Sequence, residues 1–65
     1  MLWEEAMSQQ WVRVFLDGES IWTGHFPSAP RVGEYLTRGE VRYRVIGVNW
    51  DLLKTDWVDL YVEVV

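Results

Sequence analysis

Proton transfer near neutral pH is histidine chemistry, and this sequence holds one histidine, His25. General acid–base or nucleophilic work needs a second group placed beside it, and no serine, cysteine or further histidine is positioned by a motif to join it. Set between Gly24 and Phe26, His25 reads as a surface or hydrogen-bonded residue at the end of a strand. The ten carboxylates could in principle supply an acid/base pair or a site for a hard cation. Their spacing points elsewhere: Asp17 and Glu19 flank a turn, Asp59 and Glu63 fall on the solvent side of a strand, and no Asp-x-Asp loop or Glu-x-x-His pair occurs. The glycines are scattered as backbone punctuation and form no phosphate-cradling loop. No catalytic residue, metal site or cofactor is therefore expected, and the chain reads as a non-enzyme.

The arginines pose a second chemistry. If Val41, Tyr43 and Val45 face inward, Arg42 and Arg44 project outward together, with Arg13 on a neighbouring strand. Arginines beside exposed aromatics are how many small barrels hold single-stranded nucleic acid. Against this stand a net charge of −4 and a pI near 4.7, which repel phosphate, and cross-strand carboxylates able to neutralise the same arginines.

The elements that must carry these residues follow from alternation. In Trp11–Asp17, Val12, Val14 and Leu16 share one face, and Trp11, Arg13, Phe15 and Asp17 the other. Asp17-Gly18 then marks a hairpin, because its turn requires positive φ. Strands are expected near 11–17, 20–25, 33–37, 41–50 and 57–65. Both prolines fall in Phe26–Arg31, which excludes that stretch from a central strand. Within 41–50 the apolar residues are odd-numbered through Val45 and even-numbered from Ile46, so a bulge or bend is expected beside Gly47. The last strand alternates most cleanly, with Val58, Leu60, Val62 and Val64 opposite Trp57, Asp59, Tyr61 and Glu63. The fold class is all-β: a small five-stranded SH3-like barrel or a rolled antiparallel sheet over 11–65. Residues 1–10 read as a frayed or short helical segment. Met7 opens a natural-looking start, so the first six residues read as an upstream extension or a cloning choice.

The run Pro30-Arg31-Val32-Gly33-Glu34, followed by Gly39, Tyr43, Val45 and a valine-rich terminal strand, resembles small uncharacterised SH3-like β-barrel proteins of phages, plasmids and integron cassettes. The resemblance implies a barrel fold and a mobile-element setting. It carries no active site across.

A chain of 65 residues buries about 60% of the surface its unfolded form exposes. Its core rarely supplies more than roughly 3–5 kcal/mol without a disulfide, a metal or a partner. With no cysteine, an aromatic core or association must compensate. The inward set named above, with Ile21, Val45 and Val48, goes far to fill one small interior. Trp11, Phe15, Trp22, Trp57 and Tyr61 are left over. If the first and last strands are neighbours, Trp11, Phe15, Trp57 and Tyr61 form one outward patch.

The expected function is accordingly a non-enzymatic interaction module that self-associates or binds another protein through outward aromatics or a strand edge. The alternatives are single-stranded nucleic-acid binding through Arg13, Arg42 and Arg44, and a small-molecule site formed between subunits. No run of about 18 apolar residues and no secretory signal occurs, so no membrane partner is expected and the expected compartment is cytoplasmic.

Overall fold

The computed structural model describes residues 10–53 and 56–65. The helical or frayed segment expected over 1–10 lies outside these residues except at Gln10, which instead opens the first strand. The described residues form β1 (Gln10–Leu16), β2 (Glu19–Phe26), β3 (Tyr35–Arg38), β4 (Val41–Trp50) and β5 (Trp57–Val64). They build one sheet in the order β2-β1-β5-β4-β3. The sheet curls into a half-barrel, consistent with a small SH3-like barrel. No helix among the described residues is long and apolar enough to cross a membrane.

The β1–β2 hairpin closes as its sequence requires: Asp17 has φ 50° and Gly18 has φ 85°, the left-handed pair of a two-residue turn whose twist matches the strands. The β1–β2, β3–β4 and β4–β5 pairings are antiparallel, whereas β1 and β5 run parallel. The third strand starts later than its sequence pattern indicates, because the chain turns at Gly33, with φ 96°.

Two bulges bend the sheet. In β4 the register shifts between Val45 and Gly47, leaving Ile46 as the extra residue at the expected place. In β2, Val14 faces Trp22 and Phe15 faces Ser20, so Ile21 is the extra residue there. Each bulge adds local twist on one side of the central β1–β5 pair and brings the outer strands round over the inner face.

That face holds the core: Val12 and Val14 from β1, Val45 from β4, and Val58, Leu60 and Val62 from β5. Leu16, Ile21, Trp22, Phe26, Leu36, Tyr43, Val48 and the loop residue Ala29 pack against it. Two sequence assignments change. Val64 continues the alternation but is 58% exposed, because the strand runs past the end of the core. Trp22 belongs to the interior, where its ring lies across Gly24 and meets Phe26 edge-on at 5.5 Å between centroids.

Candidate functional site

The outer face of the half-barrel gathers the aromatic residues that its interior leaves out. Because β1 and β5 pair in parallel without a register shift, Trp11 sits beside Trp57, Arg13 beside Asp59 and Phe15 beside Tyr61. Same-face neighbours at this spacing bring their rings into contact. The indoles of Trp11 and Trp57 stack with centroids 5.1 Å apart and planes 20° apart. Phe15 and Tyr61 stack at 5.6 Å and 25°. The four rings expected to share a patch thus lie on one face as two stacked pairs.

Between the two stacks lies an ion pair. Arg13 Nε donates to Asp59 Oδ1 at 3.0 Å, and the guanidinium carbon stands 5.4 Å from the Trp57 ring centroid and 5.6 Å from that of Phe15. Asp59, only 9% exposed, is the charged residue drawn deepest into the protein among those described. The cross-strand guanidinium satisfies the carboxylate, and the cation in turn spreads over two π faces.

His25 extends the band on the β2 side. It is paired with Trp11 across the hairpin, and the ring centroids are 3.7 Å apart at 48°. The imidazole is exposed and rests on an indole. On the β4 side, Gly47 faces Tyr61, whose ring carbon Cδ2 would stand 3.4 Å from a Cβ added there. A Cβ there would meet the phenol ring at no more than ordinary contact, and Tyr61 remains 39% exposed. Neither contact was legible in the sequence, since neither alternation nor a motif marks a lone histidine or glycine as the neighbour of a ring on the adjacent strand.

The arginines of the nucleic-acid reading are occupied. Arg13 belongs to the ion pair just described. Arg44 Nε donates to Glu63 Oε2 at 2.9 Å, and its Nη2 donates to the same oxygen. That hydrogen bonding, and then the charge of Glu63, raises the guanidinium pKa above its ordinary value. Arg42 lies over the Tyr35 ring at 3.9 Å from the centroid. Cross-strand carboxylates thus neutralise two of the three, and the third is stacked on β3. Among the described residues no group of three carboxylate or imidazole side chains converges on a point that could hold a metal ion.

No protein-family model, no curated protein and no solved structure matches this chain.

Proposed function

We propose that this chain is a non-enzymatic interaction module that self-associates through its outer aromatic band. The observation that carries the reading is the order of the band along the two central strands: an aromatic stack, an ion pair, and a second aromatic stack. Such an order is close to reading the same in both directions. A two-fold axis lying between two apposed faces, across the strands at the level of the Arg13–Asp59 pair, sets the indole pair of one copy against the Phe15–Tyr61 pair of the other. The same operation places the Arg13–Asp59 pairs of the two copies together at the centre of the contact. Self-complementarity of this kind is what an isologous dimer requires.

Composition and size point the same way. Aromatic residues and arginine are enriched where interfaces concentrate their energy. The molecule measures 36 × 27 × 18 Å, so its broad face can provide the roughly 800 Å² per partner of a stable complex. Among the described residues six buried aliphatic side chains make a small core, and association is one way a domain of this size gains stability.

Light scattering on the wild type and on Trp57→Lys tests the reading. Lysine at position 57 leaves the inner alternation of β5 untouched and puts an ammonium into the contact. The wild type is expected to be oligomeric at tens of micromolar and Trp57→Lys to be a folded monomer. A monomeric wild type at that concentration would refute self-association.

A further inference from the structure

The half-barrel does not close, and the opening between β2 and β3 is a cleft of about 160 Å³. Its apolar walls are Val14, Ile21, Trp22 and Phe26 on one side and Leu36 and Tyr43 on the other. A cavity of about 150 Å³ with Leu, Ile and Phe walls takes up one benzene-sized ring, so the volume here fits a single six-membered aromatic ring. Larger occupants would have to lie mostly outside it.

One charge borders this space. Arg38, at the end of β3, reaches over to β2, where its Nη1 donates to the carbonyl of Ile21 at 3.0 Å. Ile21 is the bulged residue, so the ladder is disturbed where the guanidinium docks. Among the described residues no carboxylate forms an ion pair with Arg38, unlike Arg13 and Arg44. A guanidinium carries five N–H donors in a planar fork. With one engaged by Ile21, the others remain to receive a carboxylate.

We propose that this cleft binds a small aromatic carboxylate, with the ring seated between Trp22, Phe26 and Leu36 and the carboxylate on Arg38. The walls supply affinity through burial, and the fork supplies orientation and preference for an anion. The site lies on the opposite face of the sheet from the aromatic band and does not depend on how that band is used.

Benzoate is the probe. Titration of the wild type, followed by the indole N–H resonance of Trp22 assigned with Trp22→Phe, is expected to give a saturable shift in the millimolar range. Benzyl alcohol, which keeps the ring and drops the charge, should bind at least about tenfold more weakly, and Arg38→Gln should lose benzoate affinity by a similar factor. Arg38 is exposed, so the variant keeps its fold, and an unchanged amide spectrum away from β2 and β3 checks this. No saturable shift, shifts confined to the outer rings, or equal benzoate affinity in Arg38→Gln would each overturn the proposal.

Discussion

Gly24→Ala tests the inner face at its tightest point. Gly24 lies opposite Val12 in the β1–β2 ladder, two residues from Trp22 on the same face. A Cβ built there collides with the indole carbons Cη2 and Cζ2 of Trp22 and stands 3.1 Å from Cζ3. A rigid bicyclic ring cannot yield at its tip alone. Trp22 must swing as a whole, out of its edge-on contact with Phe26 and into the cleft.

Overpacking of this kind costs about 1–3 kcal/mol. Replacing glycine by alanine returns roughly 0.4–1 kcal/mol through the unfolded chain. The balance is a destabilisation of about 1–2 kcal/mol, a large share of the roughly 3–5 kcal/mol available to so small a core. Thermal unfolding followed by circular dichroism should show a midpoint lower by on the order of 10 °C. The cause is separated by a double-mutant cycle with Trp22→Leu. Without the indole, Gly24→Ala should be neutral or stabilising. A variant that melts at or above the wild-type midpoint, or an equal cost in both backgrounds, would show that the ring does not lie across Gly24.

Asp59→Ala removes the acceptor that holds Arg13 between the two stacks, and a hydrogen bond to a charged group is worth roughly 1.5–3 kcal/mol. Urea unfolding should therefore give a lower midpoint, by about 2 kcal/mol in stability, and an unchanged midpoint would show the pair to be energetically idle. Titration with single-stranded and duplex oligonucleotides at low salt, where electrostatic binding is strongest, should show weak binding or none. Tight binding abolished by Arg42→Ala combined with Arg44→Ala would transfer the function to the nucleic-acid reading.

Much of this fold was legible because its signals are local. Asp17-Gly18 specifies its turn through two positive φ values, and the change of apolar phase at Val45-Ile46 specifies a bulge. The second bulge carries the same signal. Ile21 and Trp22 are adjacent apolar residues, and reading them as Val45-Ile46 was read would have moved Trp22 from the surplus into the core. Strand direction is different in kind. Alternation is identical for parallel and antiparallel neighbours, so nothing in Trp11–Leu16 or Trp57–Val64 announces that the two run parallel. Membership of the outer patch was therefore readable residue by residue, while its internal order was not. That order depends on the pairing of Arg13 with Asp59, which a shift of register would abolish. The cleft lay further still from view, since its walls come from four strands and its charge from the end of β3.

The pleat that separates the two faces also separates their chemistry. Successive residues of a strand point to opposite sides, so β1 sends Val14 to the cleft and Arg13 and Phe15 to the band, and no side chain serves both. A substitution on one face reaches the other only through the stability of the sheet. Trp57→Lys should thus alter the mass in solution and leave the benzoate isotherm in place, and Arg38→Gln should do the reverse. If either variant moved both readouts while its unfolding midpoint stayed at the wild-type value, the faces would be coupled by something other than folding. The open β2 and β3 edges are where such coupling would arise, because they border the cleft and are also able to pair with another strand. Loss of association in Arg38→Gln would accordingly move the contact between copies from the aromatic band to the seam that Arg38 bridges.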